Sequence, residues 1–138
     1  MRVDLIGLST FVEVIKDQAK AMDKAVDNAV VATANEIRNE AVKSINKQSR
    51  GEKTVKRGKK KHYISPEGGA PNTDGGTLVR SIQVTHLKGS QEAIVFSPLE
   101  YAAYLEFVLD RPWLEPATEG KEDLLRENIL QFAKKALR

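Results

Sequence analysis

The sequence predicts an α+β fold: a long N-terminal helix and a C-terminal helix packed on a small antiparallel β-sheet, with a long basic loop. Three observations predict it. No glycine or proline interrupts residues 8–48, where Phe11, Ile15, Met22, Val26, Val30, Ile37, Ala41 and Ile45 recur at three- and four-residue steps or sums of them. Ile82, Val84 and Leu87 alternate with polar residues before a Lys88-Gly89-Ser90-Gln91 turn and a returning Ala93–Phe96 run. Leu124, Leu125, Ile129, Phe132, Ala133 and Leu137 then form an apolar stripe at helical spacing.

Val3 and Leu5 alternate with Arg2 and Asp4, the pattern of a short strand that Gly7 ends. Thr10 and Glu13 have the spacing of a capping box at the start of the long helix. At ~1.5 Å per residue that helix would be roughly 55–60 Å long. A chain of 138 residues has a radius of gyration of only about 14 Å. Part of the helix is therefore expected to project or to pack on another subunit. The Ala- and Val-rich stretch from Ala25 to Ala34 permits close approach and is the part expected to touch a neighbour.

Residues 49–76 read as a loop rich in Lys, Gly and Pro, with a brief strand at His62-Tyr63-Ile64. A loop this long is commonly functional or disordered, and residues 50–76 are expected to be flexible. Asp74 before Gly75-Gly76 reads as an Asx-type turn capping a short Thr77–Ser81 element. After the hairpin, residues 98–107 read as a short helix with Leu99, Ala102, Ala103 and Phe107 on one side. Phe107 and one of the tyrosines are expected in the core. Pro112 and Pro116 punctuate a second short element, and Gly120 precedes the last helix, whose Lys134, Lys135 and Arg138 suit its C-terminal end. Residues 1–138 make one domain.

Composition narrows the chemistry. There is no cysteine, and the only histidines are His62 and His86, so neither disulfides nor a thiolate or histidine-built zinc site is expected. No run approaches the roughly 18 apolar residues of a membrane span. The N-terminus has an early acid and no apolar run of signal-peptide length, so synthesis in the cytoplasm is expected. The net charge of +3 hides an asymmetry: residues 43–61 hold nine basic residues and one acid, so this segment carries +8 and the remainder −5.

No catalytic constellation emerges. Asp74 and Glu67 lie in the glycine-rich loop, where turn chemistry explains Asp74. The glycine pairs do not match the phosphate-binding GxxxxGK[ST] pattern, and no cofactor is expected. The basic cluster Arg50, Lys53, Lys56, Arg57, Lys59, Lys60 and Lys61 is a candidate contact for a partner or for DNA. Only Tyr63 follows it, so no stacking platform is indicated. Such charge stays in water or meets a negative surface, either channel DNA or an acidic neighbouring protein, with the protein slightly favoured. Tyr101, Tyr104, Glu106, Arg111 and Trp113 are candidates for an assembly interface, since aromatics and arginine are favoured at interface centres.

Four segments in order carry a resemblance: Gly7-Leu8; Asp74-Gly75-Gly76-Thr77-Leu78 with Arg80-Ser81-Ile82; Tyr101 to Phe107; and Arg111 to Ala117. Together they resemble the tailed-phage head–tail connector family, the small neck and tail-completion (minor tail) proteins. Gly75 stands where that family usually has Thr, and Val108 where it usually has Gly. The resemblance implies a non-enzymatic virion protein, located in the neck or tail and in host cytoplasm during assembly. It implies a homo-oligomeric ring, a hexamer before a dodecamer, that joins the portal-side connector to the tail around the DNA channel. Implied partners are copies of itself, the neighbouring connector or adaptor and tail proteins, and channel DNA without sequence specificity, with no membrane. The alternative is a nucleic-acid-binding module in which the basic 50–61 segment grips DNA and the long helix dimerises.

Overall fold

A computed structural model describes residues 8–48, 51, 53–73 and 75–137, with side chains for all of these except Leu8, Ser9 and Arg57. The expected Val3–Leu5 strand, Arg50 and the Asp74 turn lie outside the described residues. Helix α1 spans Leu8–Asn46, 39 residues, or ~58 Å. It already includes Thr10 and Glu13, so these lie in its first turns and not at a cap at Thr10. Lys43 in its last turn complements the dipole, and Gln48, at φ 52°, turns the chain away.

Strands β1 (Thr54–Arg57) and β2 (Lys60–Tyr63) form one antiparallel pair. Helix α2 (Thr77–Ser81) follows, capped by Gly76 and without a side-chain cap bond. Strands β3 (Gln83–Leu87) and β4 (Glu92–Phe96) form a second antiparallel pair, with Val84 opposite Val95. Helices α3 (Glu100–Phe107), α4 (Glu115–Thr118) and α5 (Lys121–Ala136) complete the order. The fold is α+β as expected, but the described strands form two separate two-stranded sheets.

The basic loop differs from expectation because residues 54–63 pair as a hairpin. Gly58, at φ 63°, supplies the left-handed residue that a two-residue connection needs. The ladder continues below the hairpin: Gly51 N–H donates to the Ile64 carbonyl at 2.9 Å, and Ile64 N–H to that of Lys53 at 2.9 Å. A Cβ at Gly51 would stand 2.2 Å from the Ile64 oxygen, so only glycine fits this approach.

Helix α5 runs antiparallel along α1. Lys121 near its start pairs with Glu40, and Asn128 Nδ2 donates to Thr33 Oγ1 at 3.1 Å. Seven residues forward on α5 thus match seven back on α1. By that register the end of α5 at Ala136 comes level with Ala25, which is the first buried residue of α1 among those described. The expected stripe on α5 is the one that packs: Leu124, Leu125, Ile129, Phe132 and Ala133 are half-buried, while Leu137, beyond the helix end, is exposed.

The buried core gathers the C-terminal end of α1 with three distant segments. Ala41 and Ile45 meet Leu78 and Ile82, Ala102, and Trp113 and Ala117. Val95, Leu99, Leu105 and Leu114 close its margins. Arg38 Nε donates to the Ile82 carbonyl at 3.0 Å and ties the end of α2 to α1.

Candidate assembly surfaces

Three of the four motif segments singled out in the sequence meet in this core. Leu78 and Ile82 come from the second, Ala102 from the third, and Trp113 and Ala117 from the fourth. Trp113 is only 4% exposed, and its indole Nε1 donates to the Ala102 carbonyl at 2.9 Å. Its expected place at an interface is therefore corrected: it holds α3 and the α3–α4 turn together inside the subunit.

Glu106 acts in the same joint. One carboxylate oxygen accepts the N–H groups of Trp113 at 2.6 Å and Leu114 at 3.1 Å, and the other accepts that of Glu115 at 2.9 Å. The N–H groups of Leu114 and Glu115 are among those left unsatisfied where α4 begins, that of Trp113 lies one residue before, and a negative charge suits that end. Arg111 folds back on its own turn. Its N–H donates to the Leu105 carbonyl at 2.8 Å, and its guanidinium to those of Leu109 at 2.7 Å and Asp110 at 3.2 Å. Glu106 and Arg111 thus bond to backbone groups of the same turn and not to each other.

The other two expected interface residues lie on the surface. Tyr101 and Tyr104 are exposed on α3, and Phe107 beside them is 82% exposed. Neither tyrosine nor Phe107 enters the core, contrary to expectation. The inward face of α3 is set by Ala102, with Leu105 beside it, and Phe107 is about 140° round the helix from Ala102. Val108 and Leu109 extend the exposed apolar run. This face borders a cleft of about 650 Å³ lined in part by Val55, Tyr63, Leu105, Val108, Leu109 and Arg111.

A second uncovered apolar surface lies far along α1. Phe11, Val12, Val14 and Ile15 are all exposed, Phe11 by 60%. Phe11 and Ile15 continue the face that carries Met22, Val26 and Ala29, but they lie past the end of α5. Within Ala25–Ala34, the stretch expected to touch a neighbour, Ala25, Ala29, Thr33 and Ala34 are buried within the subunit, while Val26, Val30, Val31 and Ala32 are half-buried. The uncovered part is the stretch N-terminal to it.

Lys53, Lys56, Lys59, Lys60 and Lys61 are exposed on and beside the β1–β2 hairpin. Asn72 Nδ2 donates to the Tyr63 carbonyl at 2.9 Å and steadies the base of that hairpin.

Sequence reasoning missed Asp27, 6% exposed in the middle of α1. Its carboxylate meets His86 Nε2 at 2.8 Å and accepts the N–H groups of Gly89 at 3.2 Å and Gln91 at 3.1 Å. The His86 hydrogen bond, with those two backbone donors, holds its pKa below the ordinary aspartate value against the opposing cost of burial. Asp27 thus fastens the β3–β4 turn to α1. A lone aspartate at an apolar position of the helical repeat was its signal in the sequence.

Among the described residues, no group of three or more His, Asp or Glu could hold a metal ion. Nor is any described helix long and apolar enough to cross a membrane. No curated protein and no solved structure matches the chain. One family does, over residues 9–107: "Bacteriophage HK97-gp10, putative tail-component". The match spans 99 of the 138 residues, from the start of α1 to the end of α3. It takes in two of the three motif segments that build the core, and the chain belongs to the HK97-gp10-like family of phage tail components.

Proposed function

We propose that the protein is a non-enzymatic ring subunit at the phage head–tail junction, joining the portal-side connector to the tail around a channel for DNA. The observation that carries this reading is the uncovered stripe on the first turns of α1, Phe11, Val12, Val14 and Ile15. Exposed contiguous apolar surface marks a site of association. A second such surface, Tyr101, Tyr104, Phe107 and Val108, belongs to α3, which packs near Ala41. Ile15 and Ala41 are ~39 Å apart along α1. Two separated and unlike patches favour head-to-tail contact, in which the α1 stripe of one copy meets the α3 face of the next. Repeated with rotational closure, such a contact makes a ring. We take a hexamer as the first expectation.

Native mass spectrometry of the purified full chain tests the reading. A closed ring of fixed stoichiometry is expected. A variant with Phe11→Asp and Ile15→Asp should stay monomeric with an unchanged circular dichroism spectrum. A wild-type protein that remains monomeric, or stops at a dimer, overturns the ring. Heads and tails from a phage lacking the protein test its place: addition of the wild type should restore joining, and addition of the double variant should not.

A further inference from the structure

We propose that the β1–β2 hairpin is a sequence-independent contact for the phosphate backbone of duplex DNA. In the ring this deepens the reading above by giving the channel-facing partner and the residues that meet it. The register places Lys56 directly opposite Lys61 and Arg57 opposite Lys60, with Lys59 in the turn. Like charges directly opposite each other on a strand pair oppose pairing. None of Lys53, Lys56, Lys59, Lys60 and Lys61 has an ion-pair partner among the described residues. The hairpin therefore concentrates positive charge at its own tip, with no described acid in ion-pair contact with these lysines. A polyanion would relieve that repulsion.

The hairpin is also held at its base. Gly51, Lys53 and Ile64 extend its ladder, Asn72 bonds the Tyr63 carbonyl, and Gln48 Nε2 donates to that of Thr73 at 3.4 Å. The charges thus sit on an anchored two-stranded ribbon whose strands are about 4.8 Å apart, narrower than the roughly 12 Å major groove.

Two features favour DNA over an acidic protein. Lysine is depleted at protein–protein interfaces, whereas protein–DNA interfaces are strongly positive. The apolar residues of the hairpin, Val55 and Tyr63, are among those lining the cleft, so residues 56–61 carry no apolar or aromatic side chain for an interface core. The lack of an aromatic among the lysines also favours duplex over single strands, which bind largely by stacking. A few lysines on phosphates give a salt-sensitive contact along which DNA slides. Such a contact guides the polymer without locking it.

The test is fluorescence anisotropy of the full chain with labelled random-sequence duplex DNA across a salt series. Alongside it runs a variant carrying Lys56→Ser, Lys59→Ser, Lys60→Ser and Lys61→Ser, whose fold is checked by circular dichroism. Wild-type binding should fall linearly with log salt, with a slope of about −0.9 per phosphate neutralised. The variant should bind at least about tenfold more weakly, with a slope shallower by roughly one for each lysine–phosphate pair removed. Absence of wild-type binding at about 50 mM salt, where such pairs are strongest, overturns the proposal, as does undiminished binding by a folded variant. If neither protein binds DNA and the variant alone fails to join heads to tails, the hairpin serves an acidic protein instead. Mass measurement of the same samples separates the two readings: DNA binding by a monomer upholds the hairpin contact while removing the ring.

Discussion

Helix α1 offers two halves with the same chemistry and opposite fates. From Ala25 onward its apolar face lies under α5, the β3–β4 pair and the segments that meet at Trp113. Before Ala25 the repeat continues through Phe11 and Ile15, yet every described residue from Thr10 to Lys20 is exposed. A helical repeat dictates that a stripe forms. Whether the stripe is covered depends on where the partner helix stops. The register set by Lys121–Glu40 and Asn128–Thr33 ends α5 level with Ala25. The covered half holds one subunit together, and the uncovered half is the surface on which the proposed ring contact rests.

The largest expected effect lies in the covered region. Trp113→Ala opens the core and removes the indole bond to the Ala102 carbonyl, at a cost of about 3–5 kcal/mol. Tyr104→Ala, on the exposed face of α3, should change monomer stability by less than about 0.5 kcal/mol while weakening self-association. Urea unfolding of both variants sharpens the contrast. Equal loss in the two would erase the distinction between core and assembly aromatics.

A closer comparison uses one residue type in both halves of α1. Ile45 is fully buried, and Ile45→Ala should cost about 2–5 kcal/mol. Ile15→Ala should cost under about 0.5 kcal/mol in the monomer and lower the ring fraction seen by native mass spectrometry. A strongly destabilised Ile15→Ala monomer would break the comparison, because it would mean that the overhang is covered by its own chain.

The smallest effect concerns Asp27, near the boundary between the halves. Its folded pKa is depressed, so its contribution to stability is complete above the ordinary aspartate pKa and is lost as pH falls through the lower folded value. Asp27→Asn should therefore be less stable than the wild type at pH 7, with the gap narrowing only below about pH 4. Thermal melts across that range check it, and a gap that persists unchanged at low pH would assign the difference to packing.

Local patterns were legible. The long run of α1, the β3–β4 hairpin with its Lys88–Gln91 turn, and the stripe on α5 were readable because each depends on neighbours a few residues away. The β1–β2 hairpin was only partly readable. Val55 and Tyr63 are single apolar residues on otherwise polar strands, too few to show an alternation, although Gly58 between them marked the turn. Phe107 was misread because both faces of α3 are apolar, and periodicity cannot choose between them. Trp113 and Glu106 were recognised as important residues but assigned to the wrong partner.

By itself, then, the sequence determined the α+β class, the long helix, the basic cluster and the family, since these rest on composition, order and short-range periodicity. Only the tertiary structure decided that Asp27 meets His86 across 59 intervening steps of chain. It also decided that Glu106 holds three N–H groups of the following turn and that α5 leaves the start of α1 bare. Those outcomes depend on which surfaces meet after the chain has folded. A hydrogen bond or an apolar contact is set by distance in space, and a periodic pattern records only distance along the chain.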